Sequence, residues 1–170
     1  VEILKAAPER ADPPCPHFGE CGGCALQHMS GPAELAWKRT LVAEALARRG
    51  LEAVPVNETC AIPLGARRRT TLHAVRAGGR VVLGFNARAS HRLIPVTACA
   101  VLDPRLSNLI GPLRVLAGHL PMPKRGLEIS LTATAGGIDL LIGAPGSPEL
   151  EVGGRLSAVA LDHDLAGVSW

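Results

Sequence analysis

Apolar positions recur along this chain with two different periods, and the switches between them mark out its elements. From Pro32 to about Arg49, Leu35, Leu41, Val42, Ala45 and Leu46 fall on one side at helical spacing. Ser30 stands where an N-cap is needed, Pro32 sits in the first turn, and Gly50 supplies the stop. From Arg67 to Arg76 the period changes to two, and Gly78-Gly79 offers a two-residue hairpin loop before a second strand, Arg80–Phe85. A short strand, Arg92–Val96, runs into Cys99. Asp103-Pro104 opens a helix whose buried stripe is Leu106, Leu109, Ile110, Leu113 and Leu116, with a kink expected at Pro112. Leu127–Ala133 and Ile138–Ile142 alternate around Ala135-Gly136-Gly137 as a second hairpin, Glu149–Leu161 suits a helix despite Gly153-Gly154, and Leu165–Trp170 returns as a strand. Val1–Leu4 also alternates like a strand. Interspersed helices and hairpins predict an α+β fold: a mixed, mostly antiparallel sheet packed on two or three helices, with a Cys-rich loop beside it.

Composition narrows the class. The 170 residues are 47% hydrophobic and 19% charged, enough apolar content for a packed core and too much for a disordered chain. Apolar runs such as Ala98–Leu102 are far too short to cross a bilayer, so no membrane partner is expected. Aromatic residues are limited to Phe18, Trp37, Phe85 and Trp170, which argues against a broad platform for stacking single-stranded bases.

Charge is distributed unevenly. Residues 61–125 hold eleven Lys or Arg and one acid, Asp103, whereas the formal charge of the whole chain is only +3. The basic stretch is dominated by arginine, whose planar fork suits phosphate, and a one-sided basic surface is the electrostatic footprint of nucleic-acid binding. The bland counterpart is a solvated strand face paired with acids elsewhere. Candidate nucleic-acid contacts are Arg67, Arg69, Arg88 and Arg92, with strict alternation sending Arg68 to the opposite face from Arg67 and Arg69. Lys38, on the apolar side of the first helix and four residues after Glu34, joins them either as a ligand contact or as a snorkelling stem. His73, His91 and His119 fall in the basic region, where isolated histidines are more often structural.

The cysteines carry the sharpest signal. Cys15, Cys21 and Cys24 share one Gly/Pro-rich loop, and Gly22-Gly23 lets the backbone fold so that flanking sulfurs can face one centre. A secretory leader pattern is absent from the given sequence, and five is an odd count, so a metal site in a reducing, cytoplasmic compartment is expected over a disulfide framework. Soft thiolates select zinc, copper(I) or an iron–sulfur cluster. Cys99 and Cys60 are the thiol candidates for a fourth ligand, and His17 and His28 the imidazole ones. One compact triple with a distant single cysteine suits a cubane better than a zinc ribbon, which shows two Cys-x2-Cys pairs.

The run Cys15-Pro16-His17-Phe18-Gly19-Glu20-Cys21-Gly22-Gly23-Cys24-Ala25-Leu26-Gln27-His28 resembles the iron–sulfur branch of the RNA uracil-C5 (5-methyluridine) methyltransferases, with the 23S ribosomal RNA enzymes as the nearest type. Trp37-Lys38-Arg39, Arg67-Arg68-Arg69, Leu83-Gly84-Phe85 and His91–Val96 leading to Cys99 look like the central region of the same family. The resemblance implies a 4Fe–4S cluster on Cys15, Cys21, Cys24 and Cys99, leaves Cys60 without a ligand position, and implies RNA as partner, ribosomal before transfer RNA. It implies residues 1–9 as the remnant of a TRAM (oligonucleotide-binding) barrel, 10–31 as the cluster loop and 32–170 as a central RNA-binding α+β domain. The methyltransferase domain, with the S-adenosylmethionine site, the nucleophilic cysteine and the general base, would follow Trp170. No Gly-x-Gly loop between a strand and a helix is present to hold that cofactor, so no catalytic residue is assigned and the fragment is expected to be inactive alone. The competing expectation is a stand-alone zinc-stabilised nucleic-acid-binding module.

Overall fold

The computed structural model describes residues 3–170. Val1 and Glu2, the start of the expected N-terminal strand, lie outside the described residues, and Ile3 and Leu4 are exposed and not in a strand. Contacts group the chain into two units: Cys24–Pro63 with the residues up to Phe18, and Leu64–Trp170 with the short piece Gly19–Gly23.

The first unit is built on helix α1 (Gly31–Ala47). Its start and end are close to expectation: Ser30 is the N-cap residue, Pro32 lies in the first turn, and Gly50, at φ +72°, follows the last turn. Its packing differs from expectation. No residue of α1 is buried; Leu35 and Leu46 are half-covered, while Leu41 and Val42 are exposed. Helical spacing of apolar residues suggests a buried stripe, but α1 is rich in alanine and carries the Glu34–Lys38 pair, so propensity and local pairing support it without a core. The chain after it runs back along the helix. Arg39 donates from Nε and Nη2 to the Val56 carbonyl at 3.0 and 2.8 Å, and the Thr59 hydroxyl donates to the Leu35 carbonyl at 3.1 Å.

The second unit is a six-stranded sheet in the order β3-β2-β1-β4-β5-β6, with β1 (Arg69–Ala77), β2 (Arg80–Asn86), β3 (Leu93–Pro95), β4 (Leu127–Thr134), β5 (Gly137–Gly143) and β6 (Leu165–Ser169). All pairs are antiparallel except β5–β6, which α4 (Leu150–Asp162) connects. The expected α+β class, its mostly antiparallel sheet and both hairpins are present. Gly78 and Gly79 both adopt positive φ, as a two-residue turn between twisted strands requires. The helix after Asp103 is two: α2 (Pro104–Asn108) and α3 (Ile110–His119) meet at Leu109. The break falls upstream of Pro112 rather than at it. Proline has no N–H for the Asn108 carbonyl and its ring crowds that oxygen, so the discontinuity appears three to four residues earlier.

Alternation sorts the sheet into two faces. Leu72 and Ala74 of β1, Leu127, Ile129 and Leu131 of β4, and Leu140 of β5 are buried in one core with Leu106, Ile110 and Leu113 of the helices. Asp103 anchors the helical layer, its carboxylate accepting from the Arg105 backbone at 2.9 Å and from the Arg105 guanidinium at 2.8 and 3.1 Å. That fork holds the Asp103 carboxyl below the ordinary carboxylate range.

Gly84 is buried between β1 and β3, and a Cβ there would lie 1.8 Å from the Ile94 carbonyl oxygen. Gly84→Ala should therefore lower stability by about 3 kcal/mol or more in urea titrations, since only backbone displacement relieves the clash. Gly154→Ala, in the exposed part of α4 with open space around it, should instead raise stability by about 0.5–1 kcal/mol.

Candidate nucleic-acid interface and cysteine motif

The sheet face turned away from the helices is polar. Arg69, Thr71 and His73 of β1 stand opposite Thr132, Ser130 and Glu128 of β4 in the pairing register. The Thr71 and Ser130 hydroxyls are 2.8 Å apart, and His73 Nδ1 lies 3.9 Å from Glu128 Oε1. The period-2 pattern places these residues on the solvent side, but only the cross-strand register shows which of them meet.

At one end of this face is an open concavity of about 520 Å³, lined by Arg67, Arg68 and Arg69 and by residues 132–135. All three arginines are exposed. Arg68 stands near enough to Asp103 for its charge to help hold that carboxyl down. The backbone just before β1 is fixed: Arg67 donates to the Val101 carbonyl at 3.0 Å, and its own carbonyl accepts from Asp103 at 2.9 Å. The Arg68 carbonyl accepts from the Ala133 N–H at 2.7 Å. Among the described residues no ion pair engages any of the three guanidinium groups. Exposed arginines on a held backbone, with Arg67 and Arg69 in no ion pair among the described residues, make a surface suited to a polyanion.

A second concavity, of about 310 Å³, lies over Thr71 and His73, with Arg88 and the Gly22-Gly23 backbone among its walls. Arg88 is exposed at its rim. Arg92 is engaged, its Nη1 lying 3.6 Å from Glu20 Oε2. Lys38, in the first unit, is ion-paired with Glu34 on its own helix and is half-exposed. The five cation candidates thus divide, with Arg67, Arg69 and Arg88 unpaired among the described residues and Arg92 and Lys38 paired. His91 and His119 are exposed.

In the first unit Cys15 is held in a tight loop, its N–H donating to Gln27 Oε1 at 3.2 Å and its carbonyl accepting from Phe18 at 3.1 Å. Phe18 packs against His28 with ring centroids 5.6 Å apart. His17 Nε2 is buried and has no hydrogen-bond partner among the described residues. Cys24 belongs to the same unit, and Cys21 and Cys99 to the second. The Gly23 N–H points to Cys21 Sγ at 3.4 Å, and Cys99 donates its own N–H to the Ser107 hydroxyl at 3.1 Å. Cys15, Cys21, Cys24 and Cys99 are half-buried and Cys60 is exposed. Thiolates are soft donors that suit zinc, copper(I) or an iron–sulfur centre. Among the described residues, however, no three His, Cys, Asp or Glu side chains stand close enough together to hold a metal ion.

No protein-family model matches the chain. It is 42% identical over 143 residues, 84% of its length, to the 23S rRNA (uracil(1939)-C(5))-methyltransferase RlmD of Chromohalobacter salexigens. It is 43% identical over 144 residues to an uncharacterized RNA methyltransferase of Caulobacter vibrioides, and 35% identical over 169 residues, 99% of its length, to another of Brucella suis. The chain spans 30, 34 and 40% of these three relatives, respectively.

Exposure separates the thiols experimentally. In protein without bound metal, Cys60 should be alkylated by a maleimide before Cys15, Cys24 and Cys99, as read by peptide mass spectrometry over a time course. Equal rates for all four would remove the distinction based on burial.

Proposed function

We propose that this chain, which belongs to the RNA uracil-C5 methyltransferase family, is the part of such an enzyme that grips RNA and holds an iron–sulfur cluster, while other parts of the protein perform the methylation. The observation that carries the RNA part is the concavity lined by the exposed Arg67, Arg68 and Arg69, of which Arg67 and Arg69 are in no ion pair among the described residues. Phosphate oxygens suit these forks, and the neighbouring hydroxyl of Thr132 suits a sugar or phosphate oxygen. The naming of relatives for 23S rRNA favours ribosomal RNA as the partner.

In the whole enzyme, once the uracil has left its stack and a thiolate has added to C6, S-adenosylmethionine would supply the methyl group to C5. A general base would then take the C5 proton as the thiolate is expelled from C6. Neither the donor's site nor a catalytic residue is assigned to this chain. The layout proposed for it is a barrel remnant at 1–9, a cluster loop at 10–31 and a central RNA-binding domain at 32–170, in a cytoplasmic protein. Among the described residues no helix is long and apolar enough to cross a membrane.

Cys15, Cys21, Cys24 and Cys99 are proposed as ligands of a 4Fe–4S cluster. Their shared half-burial supports the set, and Cys60 is left out because it is exposed. The cluster would supply cross-linking and local charge; uracil methylation by this donor needs no redox step.

Two measurements test this. Changing Arg67 and Arg69 together to Glu should weaken binding of a labelled ribosomal RNA stem-loop by about tenfold or more, and should flatten the dependence of affinity on salt by about 0.7–0.9 log units per lost phosphate contact. Unchanged affinity would place the RNA elsewhere. Protein purified without oxygen should contain about four iron and four acid-labile sulfide per chain. Cys99→Ser should lose them and Cys60→Ser should not. Zinc in their place would instead support the zinc-stabilised module.

A further inference from the structure

The cysteine motif does not simply lie beside the sheet: part of it is stitched into the loop that joins β2 to β3. Gly22 donates its N–H to the Asn86 carbonyl at 2.9 Å, Cys21 forms an antiparallel bridge with Ala87, and Arg88 donates back to the Glu20 carbonyl at 3.4 Å. Glu20 also faces Arg92 across 3.6 Å. The loop itself is narrow, closed by the Ala87 N–H on the Arg92 carbonyl at 2.7 Å, and Ala89 sits at a positive φ of 49° within it. Glu20–Gly23 thus acts as a short extra strip along the Asn86–Arg88 backbone.

The fit leaves no room at Gly22. A Cβ there would lie 2.9 Å from the Asn86 oxygen and 3.2 Å from both Cα and N of Arg88, all of them backbone atoms. A Cβ on the adjacent Gly23 would meet only Cys21 Sγ, at an ordinary 3.5 Å. Two neighbouring glycines therefore have different reasons to be glycine, and only Gly22 presses on the backbone that carries Arg88. The strip also completes the concavity over Thr71 and His73, of which Gly22, Gly23 and Arg88 are walls.

We propose that the Glu20–Gly23 strip is a positioning element for RNA: by seating Gly22 against Asn86 and Arg88 it aims Arg88 over the second concavity, and Glu20 keeps Arg92 turned from the phosphates. The inference rests on the reading of this sheet face as an RNA surface. It assigns different roles to two cations that look equivalent in sequence. Arg88 touches RNA, whereas Arg92 is tied to the strip and supports the loop. Because the strip contains Cys21, whatever that sulfur binds also fixes one wall of the concavity.

A double-mutant cycle on the chain, read as affinity for a labelled RNA stem-loop, tests this. Gly22→Ala and Arg88→Gln should each weaken binding roughly three- to tenfold, and the two together should weaken it no more than Arg88→Gln alone, because both remove the same contact. Gly23→Ala should bind as the unaltered chain does, and Glu20→Gln should bind at least as tightly at low salt. Circular dichroism and melting of each variant show whether it is folded. If Gly22→Ala does not fold, the decision passes to Arg88→Gln and Glu20→Gln, where unchanged affinity in the first or a loss in the second overturns the proposal. Additive losses, or equal effects of Gly22→Ala and Gly23→Ala, also overturn it. Failure of the underlying RNA reading looks different: changing Arg67 and Arg69 to Glu would then leave affinity unchanged in every background.

Discussion

The pairing of β1 with β4 is the constraint on which the second unit depends. Its hydrogen bonds join residues far apart in sequence, Thr71 with Ser130 among them, and it is the seam between the β1–β2–β3 meander and the β4–β5–β6 half of the sheet. Forming it requires closure of a long loop that contains α2 and α3, so those helices must pack on the sheet as the seam forms. The register then decides two things at once. It stacks Leu72 and Ala74 over Ile129 and Leu127 on the helical side, and it lines Arg69, Thr71 and His73 against Thr132, Ser130 and Glu128 on the open side. A slip by one residue would invert both faces, burying arginine and exposing leucine. Core packing and the candidate RNA surface are therefore specified by the same hydrogen-bond ladder.

What is legible in the sequence follows from the range of the interactions concerned. Gly78-Gly79, the Asp103-Pro104 helix start and the alternation of Leu127–Ala133 are local signals, and the corresponding turn, cap and strand are present. The Cys-rich loop stands out because thiol density needs no partner to be noticed. Two features differ where a local rule is extended past its domain. The stripe on α1 is not buried, because nothing in a helical repeat says what covers it. The kink expected at Pro112 falls a turn earlier, at Leu109. Pairing of Glu20–Gly23 with the β2–β3 loop, by contrast, carries no local signature, since it joins segments more than sixty residues apart. The one trace it leaves is a glycine at 22 whose Cβ would meet backbone.

The arginines show why a count of charge is a poor guide to a surface. The basic stretch is strongly positive in sequence, yet the fold spends several of its cations internally. Arg105 is forked to Asp103, Arg114 donates to the Val96 carbonyl at 2.6 Å, Arg76 donates to the Gly118 carbonyl at 3.3 Å and Arg92 faces Glu20. These bonds secure loops and helix connections around the sheet. Of the cations left over, Arg67, Arg68, Arg69 and Arg88 line the two concavities of the polar face, while Arg80, Lys124 and Arg125 lie at the β1–β2 turn and just before β4. A focused positive patch attracts a polyanion more effectively than the same charge spread over the molecule.

Aromatic scarcity sharpens what such a patch can read. Among the residues lining the two concavities the only aromatic rings are His73 and Phe85, and Phe85 is half-buried against the core. With so little surface for stacking, affinity must come from guanidinium, hydroxyl and backbone N–H groups, which meet phosphate and ribose rather than base edges. Contacts of that kind fix the position and shape of an RNA without selecting its sequence. Selection of one base over another would then need groups other than those that line this sheet face.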